Sequence, residues 1–190
     1  MIKDVPTIGV LALQGAVQLH RPHIEASGAK FAGVKTPAEF EDIDAFILPG
    51  GESTTMLKLI DRFDLWESLA ENFEKKPVWG ICAGSILIAK TVLNPKQLSF
   101  GLLPMTIERN GYGRQIDSHL TQIEGYDVSL IRAPVITQVA NDVEVFASHE
   151  GAPVWVKHGP HMATTFHPEL TQDFPSPMHR AFIDLVRESA

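Results

Sequence analysis

Three features are scarce in this 190-residue chain: cysteine, runs of positive charge and long apolar segments. The single cysteine, Cys82, cannot form an internal disulfide, so a reducing, cytoplasmic setting is the simplest expectation. Lys and Arg number 16 against 23 Asp and Glu; the resulting net charge of −7 argues against nucleic acid or an anionic membrane as the main partner. The apolar stretch TIGVLALQGAV is too short to span a membrane and is interrupted by Gly9, Gln14 and Gly15. It predicts a buried first strand.

The composition is that of an ordinary globular protein. Apolar residues make up 44% of the chain, and the mean hydropathy is +0.02. A chain of this length can bury a substantial core, and no repeat, linker or low-complexity segment divides it. We therefore expect one domain over residues 1–190.

The order of the apolar runs predicts an α/β fold. In the first half, continuous apolar segments alternate with helical patterns, which is typical of a parallel sheet with helices on both faces. The predicted strands there are TIGVLAL, KFAGV, DAFILPGG and PVWGI, with two helical stretches between residues 53 and 74. The second half holds the short strand candidates MTIERN, VSLIRAP, VEVFASHE, APVWVKH and HMATTF, which indicate an added antiparallel region, and a final helix in SPMHRAFIDLVRES. We expect the loops after FILPGG and VWGI to lie side by side, because ligands of such a sheet bind beyond the carboxyl ends of its strands.

The segment VWGICAGSI places Cys82 at the corner between a predicted strand and a predicted helix, SILIAKTVL. Gly80 and Gly84 flank the cysteine, as a nucleophile elbow requires, because the backbone turns sharply there. A helix N-terminus also favours a thiolate over a thiol. Free cysteines are nevertheless common in protein cores, so this segment alone leaves a catalytic role and a packing role open.

A thiol nucleophile needs a base, and the segment TTFHPEL supplies a candidate. His167 ends an apolar strand, and Glu169 follows two residues later on the same side of an extended backbone, where a carboxylate can orient the imidazole. Taken alone, a His/Glu pair on a solvated loop is the simpler interpretation. Beside an elbow cysteine, the catalytic interpretation is favoured.

Four other histidines occur in pairs with helical spacing. His20 and His23 form one pair, and His158 and His161 form the other. No cysteine or carboxylate cluster accompanies them, so we expect surface histidines rather than a metal site.

The segment LPGGEST follows a predicted buried strand. Its glycines allow the backbone to approach a ligand and to direct N–H groups at it. If this loop faces Cys82, the N–H groups of Gly51 and Ala83 would form an oxyanion hole for acyl transfer. The simpler interpretation is a turn before a helix capped at Ser53, and both can hold together.

Three arginines stand in otherwise apolar or glycine-rich segments. Arg109 and Arg114 lie in ERNGYGRQ, and Arg132 lies in IRAP. An arginine can bind a carboxylate through two hydrogen bonds, which suits a carboxylate-bearing substrate. A salt bridge to an acidic residue of the chain is the alternative for each of them.

Taken together, these segments resemble one family. GVLALQGAV, LPGGESTT, GICAGSILIA, ERNGYGRQIDS, LIRAP and FHPELT are similar in order and spacing to the SNO-type class I glutamine amidotransferases, the glutaminase subunits of pyridoxal 5'-phosphate synthase. Class I amidotransferases in general share CAG and HPE, whereas LQGAV, GGESTT and RNGYGRQ are specific to this branch. The resemblance covers nearly the whole chain and implies a three-layer, flavodoxin-like α/β sheet.

The resemblance also implies a role for each matched residue. Cys82 would be the nucleophile, with His167 and Glu169 as its relay. The implied glutamine site consists of Gly51, Glu52, Ser53, Arg109, Ile131 and Arg132. The resemblance further implies L-glutamine as substrate, no cofactor or metal, and delivery of ammonia to a synthase subunit in a large hetero-oligomer, with the partner near the GG loop and Gln14. Leu19, His119 and the segment 157–162 differ from the usual family pattern, and none of them belongs to the triad.

Two alternatives remain open at the level of sequence. Another class I amidotransferase, such as the glutaminase that serves imidazole glycerol phosphate synthesis, would have the same triad; RNGYGRQ and GGESTT argue against it. The second alternative is a non-enzymatic regulator or a cysteine hydrolase of related topology. The intact set of Cys82, His167 and Glu169 argues against a degenerate binding protein.

Overall fold

A computed structural model describes residues 5–110 and 119–189. The candidate Arg114 and most of the RNGYGRQIDS motif lie outside these residues. The helices are α1 (Arg21–Ala26), α2 (Pro37–Glu41), α3 (Ser53–Arg62), α4 (Trp66–Phe73), α5 (Ala83–Ile88) and α6 (Pro177–Glu188), with 3₁₀ turns at Val17–His20 and Pro168–Leu170. The strands are β1 (Thr7–Leu11), β2 (Lys30–Val34), β3 (Ala45–Leu48), β4 (Val78–Ile81), β5 (Ala89–Leu93), β6 (Leu103–Glu108), β7 (His119–Ile123), β8 (Tyr126–Leu130), β9 (Val135–Val139), β10 (Glu144–His149), β11 (Ala152–His158) and β12 (His161–Thr164).

A seven-stranded sheet with the order β10-β11-β12-β4-β3-β1-β2 forms the centre of the structure. The five strands from β12 to β2 are parallel, and β10 and β11 extend the sheet with antiparallel pairing. Strands β5, β6 and β9 form a second sheet, and β7 and β8 form a hairpin. The expected α/β fold, mainly parallel with added antiparallel strands, is confirmed, although part of the second half builds these two smaller sheets.

Alternate residues of the central strands pack into two hydrophobic clusters, one on each face of the sheet. In β3, Phe46 and Leu48 belong to the cluster under α2, α3, α4 and α5, whereas Ala45 and Ile47 belong to the cluster under α1, α6 and the β7–β8 hairpin. The same alternation separates Val78 from Trp79 in β4. Each large apolar side chain buried in this way contributes about 1.5–3 kcal/mol to folding, which fixes the register of each strand.

The predicted helix SILIAKTVL is wrong in its second half. Helix α5 ends at Ile88, and Ala89–Leu93 form β5, which pairs in parallel with β6. The β-branched Thr91 and Val92 suit a strand better than a helix, and the pairing with β6 satisfies their backbone groups. The sequence patterns also do not predict α2, β7 or β9. Helix α2 is only five residues long and depends on a capping box between Thr36 and Glu39.

No helix among the described residues is long and apolar enough to cross a membrane. The stretch TIGVLALQGAV contains β1, whose last four residues are buried, as the sequence predicts.

Candidate functional site

Three adjacent strands of the central sheet end at one edge and bring the motif loops together. In the sheet order, β4 lies between β3 and β12, with Leu48 opposite Gly80 and Ile81 opposite Thr164. The loop after β3 carries Gly50 and Gly51, the corner after β4 carries Cys82, and the segment after β12 carries His167. Because β3, β4 and β12 pair in parallel, all three segments lie beyond the carboxyl ends of the strands.

Cys82 occupies a strained corner between β4 and α5. Its backbone has φ 49° and ψ −105°, a conformation that costs a residue other than glycine about 1–3 kcal/mol. The Cys82 N–H donates to the Thr164 carbonyl at 2.8 Å, and the Ser85 hydroxyl donates to the Cys82 carbonyl at 2.6 Å. These contacts hold the sulfur at the edge of the sheet, where the residue is only 6% exposed.

The glycines that flank Cys82 are required by close packing. A Cβ atom on Gly84 would lie 2.0 Å from the Leu48 carbonyl oxygen, and one on Gly80 would lie 2.5 Å from the Gly84 carbonyl oxygen. Both contacts are far below van der Waals distance and involve backbone atoms, which cannot rotate away. The Gly-x-Cys-x-Gly spacing therefore allows α5 to start directly against the end of β3.

His167 and Glu169 form a buried pair beside Cys82. His167 Nδ1 lies 2.8 Å from Glu169 Oε1, and the Glu169 side chain is fully buried. The backbone N–H of His167 donates to the Ser129 carbonyl at 2.9 Å, which ties the histidine to β8. Glu169 lies in the 3₁₀ turn Pro168–Leu170, not on an extended strand, so the i, i+2 argument reaches the right pair through the wrong backbone geometry.

The pKa values of this pair fit a charged imidazole. Burial by itself would lower the pKa of His167, but the Cys82 sulfur and the Glu169 carboxylate beside the ring raise it to about 10. Burial would likewise raise the pKa of Glu169; the hydrogen bond with His167 and the electrostatic effect of the neighbouring His20 and His167 outweigh it and lower that pKa. Protonation of His167 is therefore favoured wherever Cys82 is a thiolate, as a thiolate–imidazolium pair requires.

The GG loop packs directly against the imidazole. A Cβ atom on Gly50 would lie 2.3 Å from His167 Cε1, so only glycine leaves room for the ring. The Gln14 amide donates to the Glu52 carbonyl at 2.8 Å and so ties the LQGAV segment to the same loop. This contact of Gln14 with the GG loop is not predicted from the sequence.

A cavity of about 400 Å³ opens over the cysteine. Its lining includes every residue predicted for the triad, the oxyanion hole and the glutamine site, namely Gly51, Glu52, Ser53, Cys82, Ala83, Arg109, Ile131, Arg132, His167 and Glu169. Asn110 and Pro134 line it as well and are not predicted from the sequence. A volume of this size suits a small metabolite.

Glu52 and Arg109 contact each other at the cavity wall. Arg109 Nη2 lies 3.3 Å from Glu52 Oε1 and donates to the Thr54 hydroxyl at 2.7 Å. Glu52 is also the N-cap of α3 and accepts hydrogen bonds from the Thr54 and Thr55 N–H groups. Partial burial opposes ionisation of Glu52, but the hydrogen bonds from Thr55 and Thr54 lower its pKa to about 2. For Arg109, the salt bridge considered as the alternative is therefore present.

The predicted cap at Ser53 is wrong, because Glu52 caps α3 and Ser53 is its first residue. The Ser53 hydroxyl instead donates to Gln97 Oε1 at 2.9 Å. A carboxylate that accepts two backbone N–H groups leaves no helix donor for the serine at this end.

Arg132 differs from Arg109 in its surroundings. Its backbone is in the left-handed region, with φ 44°, and its side chain is exposed beside the cavity. No described carboxylate pairs with its guanidinium. Of these two arginines, Arg132 is thus the one available to a carboxylate that enters the cavity.

The prediction of surface histidines is wrong for His20 and His23. Both are completely buried, together with His179 of α6, behind the triad. The i, i+3 spacing is correct for one face of a helical segment, but the side chains face inward against α6, whose histidine the pattern does not reveal. Within residues 5–110 and 119–189, no group of three or more His, Cys, Asp or Glu side chains is arranged to hold a metal ion.

Comparison with known proteins gives concordant results. The model of the SNO glutamine amidotransferase family matches residues 10–188. The chain is 46% identical to a protein of Bacillus anthracis (strain CDC 684 / NRRL 3495) named pyridoxal 5'-phosphate synthase subunit PdxT, over 96% of this chain and 95% of that protein. It has the same identity and coverage with the PdxT of Bacillus thuringiensis (strain Al Hakam).

Two solved structures are also similar. One, described as a glutamine amidotransferase, has a TM-score of 0.84 and 37% identity over 94% of this chain and 98% of that chain. The other, PurLQS from Thermotoga maritima, has a TM-score of 0.61 and 17% identity over 97% of this chain and 98% of that chain. At that level of identity the second structure supports the fold alone.

Proposed function

Because the chain belongs to the SNO glutamine amidotransferase family, we propose that it hydrolyses L-glutamine to L-glutamate and ammonia and passes the ammonia to a pyridoxal 5'-phosphate synthase subunit. The observation that carries the assignment of residues is the position of His167, which lies between the Cys82 sulfur and the Glu169 carboxylate at one cavity. A thiol nucleophile requires a base beside it and a third group that orients the base, and His167 and Glu169 stand in these two positions relative to Cys82.

In the first half of the reaction, the Cys82 thiolate attacks the carbon of the glutamine side-chain amide. Gly51 and Ala83 are lining residues of the cavity, and in this proposal their backbone N–H groups stabilise the negative charge that develops on the amide oxygen. His167 gives its proton to the departing nitrogen, and ammonia leaves as the C–N bond breaks. The product on the enzyme is a γ-glutamyl thioester of Cys82.

In the second half, His167 takes a proton from water, and the resulting hydroxide attacks the thioester carbonyl. The C–S bond breaks, glutamate leaves and the thiolate is restored. Glu169 keeps the imidazole in the tautomer with its proton on Nδ1, so Nε2 is free to exchange protons with the reacting groups.

The cavity wall supplies groups for recognition of the amino acid end of glutamine. In this proposal Arg132 binds the α-carboxylate. Glu52, an ionised carboxylate that also lines the cavity, attracts the α-ammonium. Ser53, Arg109 and Ile131 complete the predicted site, with Arg109 acting mainly through Glu52.

We further propose that the partner is a synthase subunit in a large hetero-oligomer and that the free chain is a poor glutaminase. The GG loop carries one predicted oxyanion donor, Gly51, and the Gln14 hydrogen bond to Glu52 ties its position to the LQGAV segment. A partner that moves this segment can bring the donor into place, and loss of one such donor typically costs about 100- to 1000-fold in rate. A cytoplasmic location and a single domain over residues 1–190 stay predictions.

The decisive experiment measures glutamate and ammonia formation from glutamine by the purified chain, alone and with a pyridoxal 5'-phosphate synthase subunit from a PdxT-containing organism. We expect a low rate alone and a large increase with the partner. Full activity without a partner would refute the activation but leave the triad standing. No hydrolysis in either mixture would contradict the proposed function.

A further inference from the structure

The buried histidines behind the triad form a continuous hydrogen-bonded chain. The Ser176 hydroxyl lies 2.6 Å from His179 Nδ1, and His179 Nε2 lies 2.9 Å from His20 Nδ1. Ser176, His179 and His20 are each completely buried. His20 belongs to the 3₁₀ turn Val17–His20, which packs against the turn that carries Glu169.

Two buried polar atoms lie in the two turns that pack against each other, one on His20 and one on Glu169. Neither His20 Nε2 nor Glu169 Oε2 has a hydrogen-bond partner among the described residues. Glu169 Oε1 is already paired with His167, so Oε2 is the oxygen left without a donor. A fully buried carboxylate oxygen without a donor is costly, which makes a neighbouring N–H group significant.

The direction of the hydrogen bonds follows from the donors available. The Ser176 Oγ already accepts a hydrogen bond from the backbone N–H of His179 at 3.1 Å. The proton of the Ser176 hydroxyl is therefore free to donate to the ring Nδ1 of His179. His179 then carries its proton on Nε2 and donates to His20 Nδ1, and His20 in turn carries its proton on Nε2. The opposite direction would leave the Ser176 proton without an acceptor here and would turn a lone pair of His20 toward the negative Glu169.

The surroundings keep these rings neutral and fixed. His23 stacks on His179 with ring centroids 4.4 Å apart, and its Nδ1 accepts the Ser176 N–H at 3.0 Å. Trp79 of β4 contacts His179 edge-on at 4.8 Å. Burial lowers the pKa of His20 to about 4, although the charge of Glu169 acts in the opposite sense; the neighbouring His23 and His167 rings lower it further.

We propose that His20 is a positioning residue for Glu169: it directs its Nε2–H at the Oε2 side of the carboxylate, and His179 and Ser176 hold its ring in the required tautomer. Because His20 Nε2 and Glu169 Oε2 are not hydrogen-bonded to each other in the structure, His20 acts through the dipole of its N–H group. The effect is to keep Glu169 ionised and oriented toward His167. The expected effect on catalysis rests on the proposed function. The arrangement of protons on His20 and His179 does not depend on it.

The first test observes the protons directly in the wild-type chain. Long-range ¹H–¹⁵N spectra of ¹⁵N-histidine-labelled protein at pH 7 distinguish the two neutral tautomers. We expect the Nε2–H form for both His20 and His179. A His20 ring protonated on Nδ1, or a charged one, would overturn the proposal, and this result does not depend on any glutaminase activity.

The second test uses His20→Phe, which keeps an aromatic ring against Trp79 but removes the donor, and His20→Gln, whose amide N–H stands near the position of Nε2. In the complex with the synthase subunit, we expect His20→Phe to lower kcat about 10- to 100-fold with KM for glutamine changed less than about threefold. His20→Gln should recover most of that loss. His161→Phe serves as the matched control, because His161 is a half-buried histidine at the opposite end of β12 from Thr164.

A readout besides turnover separates positioning from general destabilisation. If Glu169 is less well held, the imidazolium loses support, and alkylation of Cys82 by iodoacetamide requires a higher pH in His20→Phe than in wild type. Equal losses in His20→Phe, His20→Gln and His161→Phe, or an unchanged alkylation profile in His20→Phe, would overturn the proposal. A wild-type chain whose Cys82 is alkylated normally but which does not hydrolyse glutamine would contradict the proposed function and not the positioning role of His20.

Discussion

His167 and the pair His20 and His179 are all buried near Glu169, but their pKa values are shifted in opposite directions. His167 contacts the carboxylate and the Cys82 sulfur, and these two partners raise its pKa to about 10 despite burial. His20 and His179 are as deeply buried, but their hydrogen-bond partners are neutral, and burial lowers both pKa values. Burial therefore does not decide the charge of a histidine; the nearest anion decides it. One carboxylate can keep one imidazole charged while the histidines behind it remain neutral.

The largest expected effect comes from removing the sulfur. Cys82→Ala should lower glutamine hydrolysis in the synthase complex by about 10⁴-fold or more, because no other thiol exists in the chain. It should also lower the pKa of His167, since the Cys82 sulfur that raises this pKa is gone. Glutamate formation and an NMR titration of the histidines measure the two effects, and an unchanged urea midpoint excludes unfolding. Wild-type ammonia release by this variant would refute the assignment of the nucleophile.

Removing the carboxylate tests both groups of histidines at once. Glu169→Gln should reduce kcat about 10²- to 10⁴-fold, because the imidazolium that forms during the reaction loses its partner. The pKa values of His167 and His20 should both fall, since the charge of Glu169 raises each of them. Glu71→Gln, an exposed carboxylate on α4, is the matched control and should change neither. A His167 pKa unaffected by Glu169→Gln would break the comparison.

The same dependence on neighbouring anions distinguishes the two arginines of the cavity. Arg132→Ala should raise KM for glutamine about 10- to 100-fold, which corresponds to one charge-assisted contact of about 1.5–3 kcal/mol. Arg109→Ala should raise KM less, because its guanidinium is engaged with Glu52 and Thr54. Arg180→Ala, on the exposed face of α6, provides the control. Steady-state kinetics measure the three variants, and a larger effect for Arg109 than for Arg132 would reverse their assigned roles.

The smallest effect concerns stability against pH. Unfolding restores ordinary pKa values near 6.5 to His20 and His179, so the unfolded chain binds more protons below that pH and stability falls from pH 6.5 toward pH 4. For one residue shifted to about 4, such as His20, this loss is on the order of 1–3 kcal/mol at pH 4.5. His167 has the opposite sign: its contribution is complete below pH 6.5 and is lost as the pH rises through about 10. Urea unfolding midpoints from pH 4.5 to 10 should therefore decline at both ends, and a midpoint that does not change between pH 7 and pH 4.5 would contradict the assignment of neutral buried histidines.

Much of the fold and of the motif placement can be predicted because the signals are local. Continuous apolar runs mark β1 to β4, and the glycines around Cys82 mark the elbow, since both depend on residues that are neighbours in the chain. The position of β5 could not be predicted in the same way. Its apolar residues also fit a helix, and only pairing with β6 decides between the two structures.

The buried histidines show the same limit at the level of the site. Two histidines at i, i+3 look the same whether they face solvent or the core, and what buries His20 and His23 is α6, more than 150 residues away in sequence. The choice between a free and a paired arginine likewise depends on Glu52, which is 57 residues from Arg109. Sequence spacing identifies candidate residues, but tertiary contacts decide their charge and their partners.

The place of β12 in the sheet has a consequence for how the protein is made. This strand is the last of the twelve in chain order among the described residues, yet it lies between β4 and β11 inside the seven-stranded sheet, and its Thr164 carbonyl holds the Cys82 N–H. During synthesis Cys82 leaves the ribosome well before β12 does, so its backbone has no fixed geometry until about 80 further residues have emerged and β12 has inserted. Nascent chains that end before β12, and chains truncated there, should therefore carry the Cys82 thiol without His167, the base proposed for it, and we expect them not to hydrolyse glutamine.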